Sequence, residues 1–149
     1  MPSFAASFAG FMLRTTGHYR RMFTGGPQFQ KNISKVRSGP QPSPSVKAGL
    51  DVRQSTFQGR PVWHIAPKDR APSAHVLFWH GGGYVYPATS VHWKFLSHMA
   101  AQYGWSVTAP LYPLAPENAA AHITSWANDY YAAYRDEIGH KPFVMGGDS

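Results

Sequence analysis

From Ala74 onward the sequence alternates between short apolar runs and stretches of helical periodicity, and that alternation leaves few folds open. "AHVLFWH" (74–80) is a continuous apolar run of the kind found in a strand buried on both faces. Behind Ser90, a residue suited to capping, Val91, Phe95, Leu96 and Met99 repeat at helical spacing, and Gly104 offers a stop. "WSVTAPLY" (105–112) reads as a second strand. Ile123, Trp126, Ala127, Tyr130, Tyr134 and Ile138 then step by three or four along a second helix that ends at Gly139. "KPFVMGGDS" (141–149) opens a third strand. Strand–helix–strand–helix–strand implies a parallel sheet covered by helices. Upstream, "DVRQSTF" (51–57) and "RPVWHIAP" (60–67) flank Gln58-Gly59 as a hairpin.

The first third of the chain is of another character. Phe4, Phe8, Phe11 and Met12 fall at helical spacing over residues 3–13, "TGGPQ" (24–28) breaks the pattern, and "SGPQPSPS" (38–45) is a Pro/Ser-rich linker. The division expected is a basic helical lead-in and linker over 1–45 and the main fold over 46–149. Residues 1–50 hold Arg14, Arg20, Arg21, Lys31, Lys35, Arg37 and Lys47 and no acid, so they carry the whole net charge of +7. These charges are dispersed singly, without an aromatic-interleaved basic stripe, which argues for a solvated helical face and against nucleic-acid binding.

Other classes fall away for chemical reasons. The chain has no cysteine, which excludes disulfides and thiolate metal sites. Its eight histidines form no H-x-x-x-H pair on a helical pattern, and His64, His75, His92, His98, His122 and His140 share no ligand spacing. No stretch approaches the roughly 20 apolar residues of a membrane span. The apolar start lacks a basic segment before it, so the expected location is the cytoplasm. No G-K-[ST] follows the glycines of 81–83 and no G-x-G-x-x-G is present, so no nucleotide and no other cofactor is implied.

Two loops at the carboxyl ends of predicted strands carry the chemistry, which is where open parallel sheets hold ligands. His80-Gly81-Gly82-Gly83-Tyr84 offers consecutive backbone N–H groups with no side chains in the way, able to converge on an anionic oxygen. Gly147-Asp148-Ser149 follows the buried strand "PFVMG" and supplies the first half of G-x-S-x-G, the strained turn that presents a nucleophilic serine.

Together with Tyr112-Pro113-Leu114-Ala115-Pro116-Glu117, these stretches resemble the three successive signatures HGGG[FWY], Y-R-L-A-P-E and G-D-S-A-G-G of the hormone-sensitive-lipase-like branch of the α/β-hydrolases. The likeness covers about residues 50–149, in the right order, and the basic lead-in resembles the helical cap segment. Pro113 stands where the family has arginine. The resemblance implies a three-layer α/β-hydrolase fold around a mostly parallel sheet, of which this chain resembles the N-terminal half. It implies a serine ester hydrolase working through an acyl-enzyme on a small-molecule ester, and it leaves room for a homo-oligomer.

By the same resemblance Ser149 is the nucleophile, Gly82 and Gly83 donate to the oxyanion, and His80 braces the loop rather than acting as a base. Tyr84 and Tyr86 are candidates for lining the substrate pocket, and Glu117 for its wall. Asp148 is given no proton-relay role. Trp79, Trp93, Trp105 and Trp126 are read as core or pocket wall. The family's catalytic Asp and His lie beyond the nucleophile, so the 149 residues alone are expected to be inactive and to leave the strand before Ser149 as an open edge. An amidase such as a formamidase, or a non-catalytic anion-binding module, are the other readings of the same loops.

Overall fold

A computed structural model describes residues 26–37, 39, 41–43 and 49–149; the helix expected over 3–13 lies outside them. The chain divides into two compact units, Met1–Arg37 and Ser38–Ser149. In the first, α1 (Pro27–Val36) begins with proline at its first turn, where the missing N–H costs nothing. The "TGGPQ" stretch, expected to break the pattern, therefore starts a helix.

The second unit is a five-stranded sheet with a helix on each face. Strands β1 (Leu50–Phe57) and β2 (Arg60–Pro67) form the expected antiparallel hairpin. Its turn puts Gln58 at φ 44° and Gly59 at φ 75°, the paired left-handed geometry that matches strand twist. Next come β3 (Ala74–Trp79), α2 (Ser90–Tyr103), β4 (Trp105–Pro110), α3 (Ala120–Ile138) and β5 (Phe143–Gly147). The spatial order is β1-β2-β4-β3-β5, with β3 parallel to both β4 and β5. Thr89 rather than Ser90 is the N-cap of α2, one residue earlier than its periodicity suggests, and left-handed Gly104 closes it.

Each strand of the middle of the sheet alternates between two cores. Trp63, Ile65, Val76, Phe78, Val107 and Ala109 face Trp93, Leu96 and Ala100 of α2. Val62 and Leu77 face Ile123, Trp126, Tyr130 and Tyr134 of α3. This is why the run at 76–78 shows no polar alternation: both faces are covered. The connection through α2 runs from β3 to β4, and the one through α3 returns past β3 to β5. Crossovers of one hand that reverse direction place their helices on opposite faces, and the crevice between the carboxyl ends of β3 and β5 is the switch point where such sheets bind ligands.

Candidate active site

The loop after β3 holds a conformation that its glycines make accessible. Gly82 (φ 117°), Gly83 (φ 59°) and Tyr84 (φ 61°) are all left-handed, the last being one of two non-glycine residues described there. The Gly82 carbonyl accepts the N–H groups of Val85 and Tyr86 at 3.1 and 3.0 Å, closing a tight turn. A Cβ on Gly82 would meet the Tyr86 carbonyl oxygen at 2.6 Å, so the turn excludes a side chain on two counts. Among the described residues, no acceptor receives the N–H of Gly82 or of Gly83.

His80 is 5% exposed and sits behind this loop. Its Nδ1 donates to the Gly81 carbonyl at 2.8 Å, and its ring stacks on Tyr112, centroids 4.4 Å apart and 10° from parallel. Burial pushes its pKa down to about 4, so at neutral pH it is an uncharged support and a weak base. The Tyr112 hydroxyl donates to the His80 carbonyl at 2.6 Å, and burial raises that phenol to about 12. Tyr112 is itself anchored from β2: the Arg60 guanidinium donates to the carbonyls of Leu111 (3.0 Å) and Tyr112 (3.2 Å). With proline at 113, the positive group gripping this segment comes from another strand.

The end of β5 completes the wall. Gly147 lies so close to β3 that a Cβ would stand 2.6 Å from the Trp79 carbonyl oxygen. Asp148 Oδ1 accepts the Gly81 N–H at 2.8 Å, and Asp148 Oδ2 lies 3.1 Å from Nε2 of His92. A cavity of about 640 Å³ opens here, and its lining includes Trp79, Tyr84, Tyr112, Ile123, Ala127 and Met145. His80, Gly83, Tyr84 and Ser149 of the expected site line it together with Gly81, Gly147 and Asp148. Gly82, Tyr86 and Glu117 do not; Glu117 is exposed in the turn ahead of α3. The largely apolar wall beside a hydroxyl and backbone donors suits an uncharged molecule with one polar reacting group.

Sequence reasoning missed Arg60, His92 and Asp148. Thr89-x-x-His92 has the spacing of a helix N-cap and its third residue, which could have drawn attention to His92. Nothing local pointed to its meeting a residue 56 positions away. Among the described residues no three His, Asp or Glu side chains form a metal-ligand cluster, and no helix is long and apolar enough to cross a membrane.

Comparison with known proteins agrees with this geometry. The sequence model of the alpha/beta hydrolase fold family matches residues 76–149. A triacylglycerol lipase of Mycobacterium tuberculosis is 32% identical over 84 residues, 56% of this chain and 19% of that protein. Lipase 2 of a Moraxella species is 33% identical over 81 residues, again 19% of its length. A hormone-sensitive lipase from a metagenome library superposes with TM-score 0.65 at 24% identity, covering 95% of this chain and 47% of that one. An esterase from the bacterial hormone-sensitive lipase family gives 0.63 at 23%, covering 100% and 48%. The chain thus spans about a fifth of the curated relatives and about half of the solved structures. With its sheet superposing on these neighbours and the family's sequence model matching residues 76–149, the chain has the α/β-hydrolase fold and is similar to esterases of the hormone-sensitive-lipase family.

Proposed function

We propose that the chain carries the nucleophile and the oxyanion loop of a serine ester hydrolase. The observation that carries this is the meeting, in one cavity, of Ser149 with Gly81 and Gly83 of a left-handed glycine loop, whose N–H groups at 82 and 83 have no acceptor among the described residues. As a general base other than His80 takes its proton, Ser149 Oγ attacks the ester carbonyl, the carbonyl oxygen becomes an alkoxide to which Gly82 and Gly83 donate, and the base returns the proton to the leaving oxygen. Collapse expels the alcohol and leaves an acyl-enzyme that water hydrolyses. Tyr84 and Tyr112 form the aromatic side of the pocket, and the substrate class is an uncharged small-molecule ester.

His80 braces the loop and takes no proton. Among the described residues no hydrogen bond joins Ser149 to a histidine, and a ring held at about 4 is too weak a base for chemistry near neutrality. The 149-residue polypeptide by itself is therefore expected to hydrolyse p-nitrophenyl acetate no faster than its Ser149→Ala variant. In the protein that carries this chain, Ser149→Ala is expected to lower turnover of p-nitrophenyl acetate and butyrate by at least about a thousandfold. Equal turnover by the variant overturns the assignment.

A further inference from the structure

Three segments distant in sequence meet at one carboxylate. The Gly81 N–H donates to Asp148 Oδ1 at 2.8 Å, and His92 Nε2 lies 3.1 Å from Asp148 Oδ2. The Thr89 N–H donates to His92 Nδ1 at 2.8 Å, and this bond sets the direction of the whole chain of contacts. A ring nitrogen that accepts cannot also hold the proton, so neutral His92 carries it on Nε2 and donates to Asp148. Asp148 then faces a donor on each oxygen, which a carboxylate satisfies and an amide does not.

The pair is partly open to water, Asp148 at 45% side-chain exposure, so its Coulomb energy is small and its value lies in geometry. That geometry is tight. A Cβ on Gly81 would stand 2.6 Å from Asp148 Oδ2 and 2.7 Å from the Ser149 carbonyl carbon. The Gly81 N–H is also spent on Asp148, so among the described residues the loop donors without an acceptor come after it, those of Gly82 and Gly83 included.

We propose that His92 and Asp148 are positioning residues: they dock the glycine loop onto the end of the strand that carries Ser149, so that the N–H groups of Gly82 and Gly83 keep one orientation towards it. The proposal rests on the serine-hydrolase reading for its purpose, but its test does not need turnover. On the 149-residue polypeptide, nitrogen NMR is expected to show His92 in the Nε2–H tautomer, with that tautomer kept but the Nε2–H proton exchanging faster with water in Asp148→Asn. Hydrogen exchange at Gly81 is expected to quicken by about tenfold or more in His92→Leu while Leu96 and Ala100 of α2 keep their wild-type protection. His92→Gln, whose amide can accept from Thr89 and donate to Asp148, is expected to restore slow exchange and folds as a glutamine-capped helix.

An Nδ1–H tautomer in the wild type, or Gly81 exchange in His92→Leu within about twofold of wild type, overturns the proposal. Loss of protection across α2 in His92→Leu that His92→Gln fails to repair at Gly81 overturns it as well, since His92 would then act only as a cap. If Ser149→Ala leaves ester hydrolysis unchanged while these exchange results hold, the hydrolase reading fails and the docking role of His92 stands.

Discussion

The two edges of the sheet are built on opposite terms. β1 presents Arg53, Gln54, Ser55 and Thr56 to solvent, with Arg53 and Asp51 paired at 3.0 Å. Charge and polarity of this kind keep an edge strand from pairing with strangers. β5 presents Val144 and Met145, 62% and 58% exposed, one on each face of the sheet, and pairs with β3 alone among the described strands. Its sequence is that of a strand with apolar cover on both faces. The difference shows where the fold's precision lies: the protected edge is remote from the cavity, and the bare one ends in Asp148 and Ser149.

Glycine substitutions separate the two edges most sharply. Gly147→Ala drives a Cβ to 2.6 Å from the Trp79 carbonyl oxygen, and backbone cannot step aside cheaply. A loss of about 3 kcal/mol or more in urea unfolding is expected, as for a strained overpacked site. Gly59→Ala, at the β1–β2 turn, meets nothing within 4 Å and carries only the left-handed penalty at φ 75°, about 1 kcal/mol. Equal losses at the two positions would erase the contrast.

Acid comes next. His80, beside β5, has a folded pKa of about 4 against an ordinary 6.5. The unfolded chain therefore binds more protons between these values, and stability falls as the pH drops from about 6.5 towards 4, by roughly 3 kcal/mol from this group. His64, behind β1, is also lowered by burial but is partly compensated by Glu137, so its share of the same loss is smaller. Thermal melts across this window should flatten more in His80→Asn than in His64→Asn. The reverse ranking would count against the burial argument.

Association should follow the exposed apolar surface. Val144→Lys with Met145→Lys is expected to reduce concentration-dependent self-association in sedimentation, whereas Arg53→Val with Gln54→Val should increase it. The smallest expected effect is Asp51→Asn. Breaking the exposed pair with Arg53 should cost under about 0.5 kcal/mol, and a larger loss would mean that β1 depends on that charge for more than insulation.

Much of this was legible in the chain because it is local. The hairpin, the three later strands and both helices of the sheet unit follow from periodicity and from stops at Gly104 and Gly139. The start of α3 at Ala120 was less visible, since Ala120, Ala121 and His122 add exposed residues ahead of the apolar stripe. Pro27 opens α1 because proline is neutral at a first helical turn, although the same residue ordinarily signals a break. The partners of Arg60, His92 and Asp148 could not be read from the sequence, although the Thr89-x-x-His92 spacing marks a helix start. Each acts on a loop 51 to 67 residues away, and only the strand order brings them there.

The strand–helix alternation has one more consequence, electrical in kind. Because β3 and β4 run parallel, α2 and α3 both begin on the side of the sheet where the cavity opens, and neither has an acidic residue in its first turn. Two helix amino ends, each carrying roughly half a positive charge, therefore face that end of the sheet, and the Asp148 carboxylate beside His92 lies against the first of them. Under the proposed ester hydrolysis, the alkoxide would form in a field to which these backbone ends contribute.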